Sequence, residues 1–443
     1  MTEQSYYVAV IGAGPAGMFA ARELARGGAR VIIFNRDVKP GGLAEYGIYP
    51  DKLAMKEGLR TQFRAVLDTP GLTYCGNISV GSQGDLTLDD LRACGFQAIL
   101  VTVGAQGTKW LGLPGEDLIG VYHAKDLVYH YNLLPPYTQM PFHYGKRVAV
   151  VGAGNVMLDI SRFFIQKIKV DEVIAVVRRG PAEVKFDKKE MEFVIANLSQ
   201  RALDAEIARV TPIMESIGQD PAAARANILE ALPKALPTNS ASRFLFEFLA
   251  SPTQIVGNEE RYVTGLEVED NILAATDGDT KARGTGNKRV IDVDTVIFAI
   301  GDKVDTTFGL PTSGYEFAKN PQPRFPVDGN SYEAYDPQTA SVIEDVFVAG
   351  WSRQASTGLV GLARKDGTNG SRAVMGYLQT LGLITVDPAP LEAKLRALSK
   401  PVVTTTDVKN LRELEEDEAK RHHVESFKFG TNEEMLEKIM SVG

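Results

Sequence analysis

The feature that most constrains the fold is a pattern that occurs twice: an apolar run, a glycine-rich turn and an amphipathic stretch. Residues 6–25 read YYVAVIGAGPAGMFAARELA, and residues 146–165 read KRVAVVGAGNVMLDISRFFI. β-Branched apolar runs favour strands, and apolar residues at helical spacing favour a helix. Each copy therefore predicts a strand, a tight turn and a helix, the opening of a nucleotide-binding domain. We predict an α/β protein with two Rossmann-like nucleotide-binding domains.

The first turn has the spacing of a dinucleotide fingerprint. Gly12 makes the tight turn, Gly14 lets a pyrophosphate approach the backbone, and Gly17 lets the helix pack on the strand. The phosphates then meet the positive end of the helix at Pro15 and Ala16. The alternative is a glycine-rich turn without a ligand.

Asn35 follows the second apolar run of the first domain, where such folds usually present an acid to the ribose. An asparagine can accept and donate a hydrogen bond but lacks the strength of a carboxylate. We therefore expect weaker nucleotide binding with the same cofactor, and Asp37 is the alternative acid. Asn35→Asp is expected to tighten binding or to leave it unchanged.

The second turn contains Gly152 and Gly154, with Met157 in place of the third glycine, which predicts a helix further from its strand. Arg178 and Arg179 follow the next strand-like run. Two guanidinium groups there suit a 2′-phosphate, which favours NADPH over NADH. The alternative is a solvent-exposed basic pair.

Further positions leave two interpretations open. Asp159 lies in an apolar helical face, which suits either a place near the nicotinamide or a structural ion pair. Trp351 follows the last apolar strand and suits either flavin contact or core packing. The charged run at residues 413–423 predicts a solvated helix face.

Bulk composition excludes several classes of protein. A chain of 443 residues suits two or three domains, and a net charge of −8 argues against non-specific nucleic-acid binding. No apolar stretch is long enough for a bilayer, and residues 6–11 predict a strand and not a signal peptide. Cys75 and Cys94 form no C-x-x-C pair, so we expect no dithiol centre, iron–sulfur cluster or other metal site. Two cysteines in a chain of this length also favour a reducing, cytoplasmic location.

Motifs along nearly the whole chain resemble those of adrenodoxin-reductase-type ferredoxin–NADP reductases, which are glutathione-reductase-like flavoproteins. The matching segments are VIGAGPAGMFAARELA (10–25), EYGIYPDKLAMK (45–56), GAGNVMLDISR (152–162), RRGPAEVKFDKKE (178–190), RFLFEFLASPTQIVG (243–257) and AGWSRQASTGLVG (349–361). The fourth and sixth segments are the specific ones, because glycine fingerprints alone are widespread.

The resemblance implies a discontinuous FAD domain of residues 1–105 plus 331–443 and an NADP domain of residues 106–330. It implies hydride transfer between NADPH and flavin without a protein base, and single-electron exchange with a ferredoxin or similar small iron–sulfur carrier. The residues implied at FAD are Gly12, Gly14, Pro15, Ala16, Asn35, Gly42, Leu43, Gly104, Trp351, Gly358, Leu359 and Val360. Those implied at NADP are Gly152, Gly154, Asn155, Val156, Arg178, Arg179 and Glu190.

Two departures from the family pattern matter. Lys52 follows Pro-Asp where the family commonly has histidine, and Asn35 replaces the acid. We take Lys52 and Asp159 as the candidate catalytic residues. Docking of an acidic carrier requires a basic surface near the flavin, and Lys52, Lys56 and Arg60 are candidates for it. Two other functions remain open: a flavin subunit of a larger complex, such as a 2-oxoacid oxidoreductase or glutamate synthase, and a redox sensor without turnover.

Overall fold

A computed structural model describes residues 4–276, 279–355 and 360–441. Its strands, in chain order, are β1 (Gln4–Ile11), β2 (Ala29–Asn35), β3 (Leu72–Gly76), β4 (Ala98–Val101), β5 (Gly107–Thr108), β6 (Val121–His123), β7 (Arg147–Val151), β8 (Glu172–Val176), β9 (Arg243–Glu247), β10 (Ala250–Gly257), β11 (Val263–Thr276), β12 (Asp279–Ile291), β13 (Thr295–Phe298), β14 (Asp302–Lys303), β15 (Thr312–Ser313), β16 (Glu316–Phe317), β17 (Glu333–Asp336), β18 (Ser341–Val348) and β19 (Ile384–Thr385).

The helices are α1 (Pro15–Arg26), α2 (Leu43–Tyr46), α3 (Leu53–Leu67), α4 (Leu88–Ala93), α5 (Ala124–Tyr131), α6 (Asn155–Phe163), α7 (Lys188–Met191), α8 (Gln200–Ser216), α9 (Pro221–Leu229), α10 (Val360–Leu381), α11 (Ala389–Arg396), α12 (Thr405–Arg421) and α13 (Asn432–Met440). No helix among the described residues is long and apolar enough to cross a membrane.

The chain forms two compact units. The first comprises Met1–Thr108, Tyr129–Gln139 and Gly301–Gly443, and the second comprises Lys109–Val128 and Met140–Ile300. The first unit is built on a sheet in the order β17-β18-β4-β1-β2-β3, in which β18, β4, β1, β2 and β3 run parallel. The carboxyl ends of β1, β2 and β4 therefore meet at one edge, where ligands bind in such sheets.

The second unit is built on a parallel sheet in the order β6-β13-β7-β8-β9. An antiparallel sheet, β10-β11-β12, belongs to the same unit, and side chains of both sheets share one hydrophobic core. In the parallel sheet Val151 pairs with Val176, so β7 and β8 end side by side. The second glycine turn and the arginine pair therefore lie at the same edge.

The unit boundaries differ from the domain limits expected from the sequence. Residues 301–330, expected in the NADP domain, lie in the first unit because Val304, Phe308 and Phe317 are buried in the same core cluster as Tyr7. Residues 129–139 also lie in the first unit, because Tyr129 and Leu134 pack on Tyr46. These contacts join segments far apart in the chain, so local sequence patterns do not report them.

α12 is more buried than its charge pattern predicts. Thr404 and Asp407 form a capping box at its start, which satisfies amides that the helix leaves unpaired. Leu411, Glu415 and Ala419 follow at four-residue spacing and are all buried. Most of residues 413–423 are exposed as expected, but Glu415 and Ala419 are buried, because a carboxylate that has a buried partner cannot be told from a surface acid in sequence.

Candidate nucleotide-binding sites

The first glycine turn has the geometry of a phosphate-binding loop. Gly12 has φ +101°, and a Cβ there would lie 2.7 Å from the carbonyl oxygen of Thr102. A Cβ on Gly17 would overlap the carbonyl oxygen of Gly12. A Cβ on Gly14 would meet no atom within 4 Å, and Gly14 is the N-cap of α1. The second glycine thus faces open space beside a helix N-terminus, which fits a pyrophosphate.

The ends of neighbouring strands converge on this turn. Gly104, after β4, donates its N–H to Ser352 Oγ at 2.9 Å. A Cβ on Gly350, after β18, would lie 2.6 Å from Ala16 Cβ. Trp351 lies half-buried between Gly350 and Ser352. Of the last predicted FAD positions, Val360 begins α10, while residues 358 and 359 lie outside the described residues.

Sequence reasoning missed an ion pair that holds the turn after β18. Arg353 is 5% exposed and donates to both carboxylate oxygens of Asp366, from Nε at 3.0 and 3.1 Å. Asp366 Oδ2 also accepts the N–H of Gly350 at 2.6 Å, and Oδ1 accepts the Tyr332 hydroxyl at 3.0 Å. The signal available in the sequence was an arginine and an aspartate, Arg353 and Asp366, on either side of a glycine-containing segment.

The side chain of Asn35 forms hydrogen bonds to other groups of the protein. Its Oδ1 accepts the N–H of Ala13 at 3.0 Å. Its Nδ2 donates to the carbonyl oxygens of Asp37 at 2.8 Å and Lys39 at 3.0 Å, and to the Tyr74 hydroxyl at 3.1 Å. Asn35 is also only 7% exposed. These contacts show that Asn35 holds the glycine turn against the loop after β2, while its expected contact with ribose stays a prediction.

α2 lies directly beside the first glycine turn. Gly42, its N-cap, has φ +50°, and a Cβ there would lie 3.1 Å from Gly14 Cα. Leu43, the first residue of the helix, packs on the cluster formed by Tyr46, Tyr129 and Leu134. The predicted positions Gly42 and Leu43 are therefore near the turn within the same unit.

A buried cluster of charges anchors α2. Arg60 donates to both oxygens of Glu45, at 2.7 Å from Nε and 2.6 Å from Nη2, and Lys428 Nζ lies 2.7 Å from Glu45 Oε1. Burial opposes the charge of Glu45, but Lys428 and Arg60 outweigh it and keep the pKa of this carboxyl below its usual range. A second buried pair, Lys39 with Glu415 at 2.6 Å, ties the loop before α2 to α12.

The cluster removes two residues from the expected basic surface. Lys56 is 3% exposed and donates from Nζ to Asn132 Oδ1 at 2.6 Å. Burial and then the charge of Lys428 lower the pKa of Lys56 to about 7, and burial lowers the pKa of Lys428 to about 8. Arg60 is held by Glu45, and Lys52 is half-buried just before α3. Lys56 is therefore an interior residue, and Arg60 is partly buried with its charge paired to Glu45, so neither is a free surface cation.

The second glycine turn repeats the geometry of the first. Gly152 has φ +150°, and a Cβ there would lie 2.5 Å from the carbonyl oxygen of Ala299. A Cβ on Gly154, the N-cap of α6, would meet no atom within 4 Å. Met157, in the place of the third glycine, is fully buried. This turn also leaves room for a phosphate at a helix N-terminus.

Asn155 connects the second turn to the loop before α7. Its Nδ2 donates to Asp187 Oδ2 at 2.6 Å, and its Oδ1 accepts the N–H of Asp187 at 2.7 Å. Lys185 also donates its N–H to the carbonyl oxygen of Ala153 at 2.8 Å. Asp187 was not predicted, and no sequence pattern linked it to Asn155. Glu190, a predicted NADP residue, lies on α7 immediately after this loop.

The predicted arginines follow β8 in the second unit. Arg178 is exposed, and its carbonyl oxygen accepts from Asn271 Nδ2 at 2.8 Å. Arg179 has 19% of its side chain exposed, and its Nη1 lies 3.0 Å from Asp279 Oδ1. The structure thus brings the arginine pair and the second glycine turn to one sheet edge. Asp279 was missed because it lies far along the chain.

The remaining predicted positions of this unit lie on α6. Val156 is 46% exposed in the first turn of the helix. Asp159 is half-buried one turn further along. Its assignment as a catalytic residue, like that of Lys52, stays a prediction.

Sequence comparisons find similarity to pyridine-nucleotide-dependent oxidoreductases. A model of the pyridine nucleotide-disulphide oxidoreductase family matches residues 6–212. The chain is 28% identical over 389 residues to an NADPH:adrenodoxin oxidoreductase, mitochondrial, of Arabidopsis thaliana, which covers 80% of this chain and 78% of the relative. It is 27% identical over 405 residues to the NADPH-ferredoxin reductase FprA of Mycobacterium tuberculosis, with 82% and 81% covered.

Solved structures agree on the fold. A structure of Mycobacterium tuberculosis FprA in complex with NADPH superposes with a TM-score of 0.81 at 23% identity and covers 98% of this chain and all of that one. The prediction of an α/β protein with two Rossmann-like nucleotide-binding domains is confirmed. Cys75 and Cys94 are both buried and unpaired, and burial raises the pKa of the Cys75 thiol to about 12.

Proposed function

We infer that the chain belongs to the adrenodoxin-reductase type of ferredoxin–NADP reductases, and that it is an FAD- and NADPH-dependent oxidoreductase. It transfers hydride between NADPH and the flavin, and single electrons to or from a ferredoxin-type iron–sulfur protein. The observation that carries this function is the pair of glycine turns. Each places an open second glycine at a helix N-terminus, in a chain similar to NADPH-dependent reductases over four-fifths of its length.

The residues of the first unit fit FAD. The open face of Gly14 and the first-turn amides of α1 suit its pyrophosphate, and Asn35 keeps the turn in shape. The segment Gly350–Ser352, held by Asp366, supplies the neighbouring wall. FAD, when bound, supplies two-electron exchange with a nicotinamide and one-electron exchange with a metal centre.

The residues of the second unit fit NADPH. Gly154 and the N-terminus of α6 suit its pyrophosphate, and Arg178 with Arg179 suits the 2′-phosphate. Assignment of FAD to the first unit and NADPH to the second is our proposal. So are the cytoplasmic location and the roles of Lys52 and Asp159.

The two other functions are not favoured. The similar curated proteins are named as reductases of adrenodoxin or ferredoxin, and neither a larger complex nor a sensor without turnover has support of that kind. The burial of Lys56 and the pairing of Arg60 with Glu45 make both residues poor candidates for the docking surface of an acidic carrier.

The first experiment is an absorbance spectrum of the purified protein followed by anaerobic titration with NADPH and with NADH. We expect a flavin band that bleaches with NADPH at much lower concentration than with NADH. A colourless protein that cannot be reconstituted with FAD, or a flavin that ignores both nucleotides, would overturn the function. Mixing the reduced protein with an oxidised ferredoxin then tests the one-electron step, and size-exclusion chromatography tests for a larger complex.

The arginine pair is tested by replacing Arg178 and Arg179 together with alanine. Loss of two charge-assisted contacts predicts about 100-fold weaker NADPH binding. NADH binding is expected to change little, because it lacks the phosphate. Arg201→Ala, at an exposed arginine on α8 in the same unit, is the matched control. Equal losses for both nucleotides would remove the 2′-phosphate role.

A further inference from the structure

The two arginines after β8 have different surroundings. Arg178 is exposed, and among the residues that the structure describes it has no ion-pair partner. Arg179 donates from Nη1 to Asp279 Oδ1 at 3.0 Å and to the carbonyl oxygen of Thr280 at 3.3 Å. One guanidinium is therefore open to an incoming anion, whereas the other already has a carboxylate partner.

Asp279 is the first residue of β12, in the long β11–β12 hairpin. The start of this strand is fastened to the arginine loop at a second point, where Thr280 Oγ1 donates to Glu183 Oε1 at 2.9 Å. The N–H of Thr280 and the charge of Arg179 keep the pKa of Asp279 below its usual range, so the carboxyl is ionised at neutral pH. The hairpin thus presents a fixed negative charge to Arg179.

Resting on the proposed function, we propose that Asp279 is a specificity-determining residue that competes with the 2′-phosphate of NADPH for Arg179. NADPH must place a phosphate dianion beside the Asp279 carboxylate and share or displace its contact with Arg179. NADH brings no such phosphate, so the Arg179–Asp279 pair can remain intact when it binds. Asp279 therefore lowers the affinity for NADPH without a matching effect on NADH.

The carboxylate is 72% exposed, so solvent and salt screen its repulsion of the phosphate. At a separation of several ångströms in a water-like dielectric, a carboxylate and a phosphate dianion repel enough to change affinity about fivefold. The effect is therefore large enough to measure and is expected to shrink as ionic strength rises.

The test uses the full-length holoprotein and isothermal titration calorimetry with 2′,5′-ADP and 5′-AMP as probes. We expect Asp279→Asn to bind 2′,5′-ADP about fivefold more tightly than wild type at low ionic strength, with 5′-AMP unchanged. Glu260→Gln, at an exposed acid in the turn between β10 and β11, removes the same charge elsewhere in the unit and is expected to change neither affinity. In an Arg179→Ala background the gain from Asp279→Asn is expected to be smaller, because the competition for Arg179 is gone and only the direct repulsion of the phosphate remains.

Unchanged or weaker binding of 2′,5′-ADP by Asp279→Asn would overturn the competition and leave Asp279 as a residue that orients Arg179. An equal gain for 5′-AMP would overturn the specificity role. If wild type bound 2′,5′-ADP no better than 5′-AMP, the proposed NADPH site would itself be wrong, and the inference would fall with it. The wild-type titration thus separates the two failures.

Discussion

At the scale of single residues, the roles of the glycines could be predicted from the sequence, whereas the hydrogen-bond partners of polar side chains could not. Gly12 and Gly14 follow a strand at fixed spacing, and their geometry agrees with the roles that this spacing predicts. Asn35 was placed correctly at the end of β2, but its four hydrogen-bond partners come from three separate segments. Its role therefore depended on tertiary contacts.

The contacts of Asn35 reverse the sequence-based expectation for Asn35→Asp. An aspartate keeps an acceptor for the Ala13 N–H but loses the donor to the carbonyl oxygens of Asp37 and Lys39. Loss of a buried donor predicts a decrease of about 1–3 kcal/mol in the free energy of unfolding, together with weaker FAD retention. Denaturant unfolding and flavin release measure both. Asn227→Asp, at an exposed site on α9, is the control, and a variant that holds FAD more tightly would restore the ribose role.

At the scale of elements, the charges of α3 and of the segment before α13 form an interior network that holds α2. In sequence, a helix with many charged residues is predicted to be exposed to solvent. The spacing of its apolar residues is the same whether a carboxylate faces water or pairs with a buried lysine, so the pattern cannot distinguish the two cases. Glu415 on α12 and Lys39 before α2 illustrate this point, since they are buried and form an ion pair at 2.6 Å.

The buried amine of Lys56 on α3 predicts a pH dependence of stability. Its pKa is about 7 in the folded protein and about 10.4 in an unfolded chain. The unfolded chain therefore binds more protons between these values, so the free energy of unfolding rises with pH there, by about 2 kcal/mol between pH 7 and pH 9. Lys56→Met is expected to flatten the rise in part, because Lys428 titrates in the same range.

Denaturant unfolding at several pH values measures this slope. Lys365→Met, at an exposed lysine on α10, serves as the control and is expected to leave it unchanged. A Lys56→Met variant with the wild-type slope would show that the amine does not titrate in this window.

At the scale of the whole molecule, the chain crosses between its two units several times, so neither unit is one continuous segment. The residues that carry the proposed NADPH site nevertheless all belong to the second unit. They include Gly154, Asn155, Arg178, Arg179 and Asp279. We therefore expect that the second unit can be prepared as a fragment without the first unit.

We predict that a fragment of residues 109–300 folds and binds 2′,5′-ADP with near wild-type affinity. A fragment of residues 140–300 lacks β6, which pairs with β13, and is expected to be clearly less stable. Circular dichroism melting and calorimetry compare the two. An unfolded longer fragment, or one without affinity for 2′,5′-ADP, would show that the site needs the first unit.

Two nucleotide-binding folds could be predicted from local sequence patterns, because a strand, glycines at fixed spacing and a helix lie within about twenty residues of one another. The arginine pair was visible for the same reason. Tertiary contacts were needed to show that Asn35 supports the turn, that Lys56 is interior and Arg60 is paired with Glu45, and that Asp279 lies against Arg179. Those contacts join residues distant in the chain, and such pairings follow from how the sheets and helices pack and not from any local pattern.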